Sequence, residues 1–368
     1  MAAGSLIEGD ALSGRRRGFH PLALAYGLFV LLIVLILAAV ALLGSARDGE
    51  PVAMLDLQTP VKTALLPQHA QRAAQAFRPS APPAQVVVPP PVVPPAVTKP
   101  VFADGALVAD PALIEQTSQG PLPRIADDGR TPMAAYAPPS VATGKPRIAI
   151  VVRGLGISAK ATAAALAELP PGVTLAFAPY SDDVQRWVAE ARRLGHEVLL
   201  EVPMEPFDFP DSDPGAETLR AGASEDSNIQ RLTWSLTRFT GYAGITNLLG
   251  GRFLADSDSL GPVMTFLARR GLFFFDSGSA SRSAAPDVAR QTTTPFVESD
   301  STIDNIQTAI EIDARLSALE AKARASGSAS GAGFIYPVTI DRVSAWAKSL
   351  SDRGFVLVPA SAIVAQSK

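Results

Sequence analysis

Apolar and polar positions along this chain fall into three regimes. Residues 18–46 contain no Asp, Glu, Lys or Arg, and within them residues 21–43 form a run of 23 dominated by Leu, Val, Ile and Ala. Over residues 47–145 the apolar positions are broken up by proline, with 18 of the chain's 32 prolines in that stretch. From Arg147 onward, short apolar runs alternate with segments in which apolar residues return every three or four positions.

The third regime carries the fold. Val184, Trp187, Val188 and Ala191 stand at i, i+3, i+4 and i+7, as do Leu260, Val263, Met264 and Leu267, and Val343, Trp346, Ala347 and Leu350. Each set marks one buried face of an amphipathic helix. Each of these helices is predicted to stop at a glycine (Gly195, Gly271, Gly354), the residue that adopts the left-handed C′ conformation without a Cβ penalty. Further helices are predicted near residues 158–169, 225–239 and 305–325. Candidate strands are RIAIVV, VTLAFA, EVLLEV, AGITN, LFFFD, TPFVE, GFIYP and FVLVP. Strands apolar on both faces, alternating with helices, predict an α/β fold with a parallel sheet. Periodicity fits a closed barrel as well as an open sheet. In either case a site forms where the strands' C-terminal ends meet the following loops. That rule selects Arg153 and Gly154, Glu201, Asn247 and Leu248, Asp276, Asp304 and Tyr336.

The first two regimes set the context. At 1.5 Å per residue, residues 21–43 exceed the ~30 Å of bilayer hydrocarbon and can span it with some tilt. Arg15, Arg16 and Arg17 flank the run on its N-terminal side, which keeps the N-terminus in the cytoplasm. A cleaved signal peptide is the alternative, but its apolar region is usually only ~7–15 residues long, so an uncleaved anchor is expected. The expected organisation is a cytoplasmic N-terminus (1–20), a transmembrane helix (21–43), a Pro-rich tether (44–104), a strap against the folded domain (105–145) and the domain itself (146–368). Polyproline-rich sequence is a semi-stiff spacer. The domain is then expected outside the inner membrane, in the periplasm. With 32 basic and 35 acidic side chains, the net charge of −3 argues against general nucleic-acid binding. Cysteine is absent, so disulfides and thiolate metal sites are excluded, and the only histidines are His20, His69 and His196.

Residues 154–159, Gly-Leu-Gly-Ile-Ser-Ala, fit a dinucleotide fingerprint, G-x-G-x-x-[GA]. A dinucleotide site also needs an acidic residue ending the second strand, but VTLAFAPYS ends in Pro179 and Tyr180, with Asp182 later as a helix cap. A glycine turn from strand to helix is the better reading, and no cofactor is expected.

The stretches IAIVVRGLGIS, GVTLAFAPYSDD, GHEVLLEVPMEP, GITNLLGGRF, RRGLFFFDS and STIDN occur in the order found in the divergent polysaccharide deacetylase family, which the region from about 147 to 365 resembles. The resemblance implies a distorted (β/α) barrel of about seven strands and a glycan or peptidoglycan ligand. It also implies two aspartates after the first strand, a His after the Asn of the stretch that reads GITNLLGGRF here, and a His-Pro pair ending the seventh strand. This chain has Arg153 and Gly154, Leu248, and Tyr336-Pro337 at those places, and Glu201 where a His can stand. Arginine does not ligate and repels a cation, and leucine has no donor atom. A barrel without the family's metal is therefore expected. Glu201 and Asp276 are the candidate catalytic carboxylates. Arg153, Glu201, Asn247, Arg252, Asp276 and Tyr336 are the candidate ligand-binding residues, with the two arginines either holding an anion or pairing with Glu201 or Asp276. Asp304 is read as the N-cap of the following helix or a third carboxylate, His196 as structural, and Trp187, Trp234 and Trp346 as core residues. The expected function is a membrane-anchored, deacetylase-like binder of a glycan or an envelope protein. An active deacetylase with an unusual residue set is the alternative.

Overall fold

A computed structural model describes residues 109–139, 144–280 and 282–364; the expected transmembrane helix and most of the tether lie outside them. Among the described residues, no helix is long and apolar enough to cross a membrane.

After a 3-10 turn at Pro111–Leu113 the chain forms a hairpin, β1 (Ile114–Thr117) and β2 (Gly120–Pro123), and a short helix α1 (Pro132–Tyr136). Strand and helix then alternate: β3 (Arg147–Leu155), α2 (Ala159–Glu168), β4 (Thr174–Phe177), α3 (Val184–Arg193), β5 (Val198–Met204), α4 (Glu225–Leu236) and β6 (Gly244–Leu249). Next come α5 (Gly251–Leu254), α6 (Ser257–Arg269), β7 (Phe273–Asp276), α7 (Ala285–Thr292), β8 (Phe296–Glu298) and β9 (Ser301–Thr302). The chain ends with α8 (Ala309–Ser326), β10 (Ser328–Phe334), α9 (Pro337–Lys348), β11 (Val356–Leu357) and a 3-10 turn at Ala360–Ile363.

Nine strands form one sheet in the order β8-β7-β6-β5-β4-β3-β10-β9, with β11 also pairing to β3, and every pairing is parallel. The two strands at the ends of that order, β8 and β9, are separated in the chain only by Ser299 and Asp300. The sheet must curl until its edges meet, which is the barrel expected from the resemblance. Two apolar clusters follow from the period-2 alternation of the strands. Ile148, Ile150, Val152, Leu200, Val202 and Phe274 face the helices, whereas Ala149, Val151, Leu199, Phe275 and Ala332 fill the interior of the curl.

The helix faces follow the predicted spacing: Val184, Val188, Ala191, Leu260, Val263, Met264, Leu267, Val343 and Trp346 are all buried. Gly195 (φ 88°) and Gly271 (φ 69°) stop α3 and α6 as expected. Gly354 does not stop α9, which ends six residues earlier at Lys348. The expected strand GFIYP is also displaced, because the strand is Ser328–Phe334, made largely of Ala, Ser and Gly. Its small residues are required by what covers them: a Cβ on Gly331 would stand 2.6 Å from Leu319 Cδ1 and 3.1 Å from Ile303 Cγ2. Asp183, rather than Asp182, occupies the N-cap of α3.

The strand N-termini are covered from two sides. Met133 N donates to Gly271 O at 3.1 Å, and the Arg192 guanidinium lies over the Tyr136 ring and donates to Gly241 O at 2.7 Å. The last residues add Ala360 N to Thr174 Oγ1 (3.0 Å) and Ser361 N to the buried Glu197 carboxylate (3.2 Å). His196 sits at this same end, its Nδ1 paired with Val173 O at 2.9 Å, so it is remote from the strands' C-termini. The covering segments leave the opposite, C-terminal end for ligands. Gly331→Val should lower stability by about 1–3 kcal/mol through overpacking against α8, read as a reduced urea midpoint with an unchanged m-value.

Candidate functional site

The C-terminal end of β3 is irregular. Val152 pairs with Leu175 and Leu155 with Phe177, so β3 spends one more residue than β4 over this interval. This bulge falls at Arg153 and Gly154, with Gly154 at φ +84°. A bulge re-aims the groups it carries, and here it presents the Gly154 N–H to Glu201 Oε2 at 2.9 Å. Glycine is needed twice over at this position: the φ is left-handed, and a Cβ would overlap the Phe334 ring. Phe334 is the register partner of Arg153 across β10 and β3.

Glu201 is fully buried, and its Oε1 lies 3.9 Å from Arg153 Nη1 without accepting a hydrogen bond. Burial pushes its carboxyl up to about 7 against the opposing pull of Arg153 and the Gly154 amide. The Arg153 side chain is only 12% exposed and donates weakly to Asn247 O at 3.4 Å. Arg153 and Glu201 thus pair with each other, one of the two arrangements open from the sequence.

Asn247 is fully committed to framework bonds. Its Nδ2 donates to Leu249 O (2.6 Å) and Ser279 Oγ (2.7 Å), and its Oδ1 accepts from Ser277 N (2.9 Å). These bonds, with Ser279 Oγ to Leu249 O at 2.7 Å, hold Leu249 at a positive φ of 58°. Asp276 is also tied locally, accepting from Gly278 N (2.9 Å) and Ser283 Oγ (2.7 Å), while burial raises its pKa. Arg252 pairs with neither Glu201 nor Asp276; it reaches Glu205 Oε1 at 3.1 Å from an exposed position. Tyr336 caps α9 without a side-chain bond, its ring 5.1 Å from that of Phe334.

Asp304 is not an N-cap. Thr308 caps α8, and Asp304 Oδ2 instead accepts from Phe334 N (2.6 Å) and Thr339 Oγ1 (2.9 Å), locking the Phe334 turn. Trp187 packs partly against the core and Trp346 is buried, with its Nε1 donating to Glu320 at 2.7 Å. Trp234 leaves the core reading: it is half-buried, with its ring 6.1 Å from Tyr180. Two glycine amides of the Gly154–Ala159 turn are taken by side chains, Gly154 N by Glu201 and Gly156 N by Thr162 Oγ1 (2.9 Å). Sequence reasoning missed Phe334, because the displaced strand hid its register. It also passed over Glu205 as a separate residue, although EVPMEP contains it.

A profile of divergent polysaccharide deacetylases matches residues 150–364. The chain belongs to the divergent polysaccharide deacetylase family. Protein YibQ of Escherichia coli (strain K12) is 28% identical over 195 residues, which are 53% of this chain and 60% of YibQ, so the match leaves about two fifths of that relative's length uncovered. A protein of Haemophilus influenzae is 25% identical over 206 residues, covering 56% of this chain and 72% of the relative. The crystal structure of protein ATU2773 from Agrobacterium tumefaciens C58 superposes with a TM-score of 0.66 at 41% identity, covering 67% of this chain and all of that one.

The residues at this mouth do not fit the family's divalent metal. Among the described residues, no group of three or more His, Cys, Asp or Glu is placed to hold a metal ion. The Arg153 guanidinium stands against Glu201, the Phe334 ring crowds Gly154, and both oxygens of Asp276 already accept hydrogen bonds. The arrangement instead supplies one carboxyl able to gain or lose a proton near neutrality, beside a permanent cation.

The raised pKa of Glu201 fixes a sign. The native state holds a proton on this group that the unfolded chain gives up near 4.5, so its contribution is full below that pH and is lost as pH rises through about 7. In urea titrations across this window, Glu201→Gln should show a shallower decline of stability with pH than the unaltered chain. An equal slope in both would show that Glu201 is ionised throughout.

Proposed function

We propose that this chain is a polysaccharide-binding, deacetylase-like protein of the bacterial cell envelope that holds its ligand at the barrel mouth without hydrolysing it. Residues 21–43 anchor it in the inner membrane, with the N-terminus in the cytoplasm and the barrel in the periplasm. Family membership supports the ligand class. The observation that carries the non-hydrolytic reading is the Arg153–Glu201 pair packed beside the Phe334 ring. Metal-dependent hydrolysis needs a Lewis acid to polarise the carbonyl and lower the pKa of water. At this corner the local cation is a guanidinium, which cannot accept a ligand's lone pair.

A second reading, an active deacetylase using Glu201 as general acid and base, draws on the pKa of about 7 for that group. The two readings part on measurable grounds. After exposure to zinc and gel filtration, the full chain should retain no stoichiometric metal. It should also release no acetate from acetylated chitooligosaccharides or peptidoglycan above an Asp276→Ala variant. One tightly held ion per chain, or turnover abolished by Glu201→Gln, would establish the enzyme. Arg153→Ala should weaken polysaccharide binding; unchanged binding would place the ligand elsewhere and favour an envelope protein as the partner.

A further inference from the structure

Two loops at the mouth share an unusual character. Residues 178–183 and 205–217 carry Asp182, Asp183, Glu205, Asp208, Asp211, Asp213 and Glu217, and neither loop contains Lys or Arg. Each also exposes an aromatic ring, Tyr180 at 44% and Phe207 at 67%. The loops are joined, since the Tyr180 hydroxyl donates to Pro214 O. Phe207 reaches across to α5, where a Cβ on Gly251 would stand 3.0 Å from its ring. Ile157, after β3, and Leu249, at the end of β6, are also exposed apolar residues at strand C-termini.

Glu201 lies deeper and fully buried, its Oε1 free of any hydrogen bond and facing Arg153 Nη1 at 3.9 Å. Burial, then the charges of Asp213, Glu201 and Glu217, push the Tyr180 phenol up to about 12, so these carboxylates lie in one electrostatic neighbourhood. The nearby arginines are engaged: Arg153 stands against Glu201, Arg252 against Glu205 and Arg186 against Asp183, while Arg220 lies over the Phe209 ring. At the corner of Arg153 and Gly154, the guanidinium stands against Glu201 and the Phe334 ring closes on the Gly154 backbone.

We infer that the polysaccharide held here is amine-bearing, with its ammonium groups taken by the carboxylates of the two loops and its sugar faces laid on Tyr180 and Phe207. This rests on the reading of the mouth as a polysaccharide site and names the form of the polymer: the one from which N-acyl groups have already been removed. Complementary charge supplies selectivity and apolar ring faces supply contact area. A class of reaction that removes acyl groups from amino sugars must then act before this protein binds.

Calorimetric titration of the full chain in detergent tests the inference, using short β-1,4-linked glucosamine oligomers, their N-acetylated counterparts and oligolysine of matching charge. The glucosamine oligomer should bind about tenfold tighter than the acetylated one, with affinity falling as salt rises. The Asp182→Asn/Asp211→Asn double variant and Phe207→Ala should each weaken it about fivefold while circular dichroism stays unchanged. Equal or tighter binding of the acetylated oligomer overturns the inference and leaves the polysaccharide reading standing. Binding of neither sugar oligomer removes both. Oligolysine binding as tightly as the amino sugar, indifferent to Phe207→Ala, also overturns it, because the surface would then read charge alone and suit a basic polypeptide.

Discussion

A single buried carboxylate organises the mouth of this barrel. Glu201 sits where water does not reach, and one of its oxygens is held by the amide of Gly154 while the other faces Arg153. Desolvating a carboxylate is costly, and the cost is offset only where a donor and a cation are fixed in place. The bulge in β3 fixes both, since it turns the Gly154 amide and the Arg153 side chain toward β5. The same bulge requires glycine at 154, and the bare backbone there admits the Phe334 ring. Asp304 completes the arrangement by bonding the Phe334 amide. The corner is therefore a coupled set, in which each residue is accounted for by its neighbour.

The rest of the fold leaves the sheet end that holds this corner uncovered. A parallel sheet that curls until β8 and β9 meet has two open ends. One is covered by the segment before β3 and by the chain's last described residues, bound through Arg192, Gly271, Thr174 and Glu197. The other is surrounded by the loops after the strands, where the exposed rings and acidic residues gather. Rigidity at the covered end lets loops at the other vary in chemistry without loss of the barrel.

Much of the fold was legible because its helices bury one face and its strands bury both. The i, i+3, i+4, i+7 sets became buried faces. The rule placing sites at strand C-termini brought Arg153, Glu201, Asn247 and Asp276 together. Legibility failed where packing rather than pattern decided. Strand β10 reads as a loop, since Ala, Ser and Gly have little strand preference; only the crowding by Leu319 and Ile303 explains them. The two-residue strand β9 is too short to carry any period. Asp304 has the look of a helix cap, and its actual partners are far along the chain at Phe334 and Thr339.

The alternation of strand and helix, the end of the sheet where a site forms, and the absence of histidine from the strands' C-terminal ends could all be read from the chain alone. Those are local or compositional properties, carried by residue type and spacing. Tertiary structure decided the partners: that Arg153 meets Glu201 while Arg252 takes Glu205, that a phenylalanine from β10 crowds the glycine of β3, and that two acidic loops join beside exposed rings. Such pairings depend on strand register and on the curl of the sheet, which bring distant residues within a few ångströms and which no local pattern encodes.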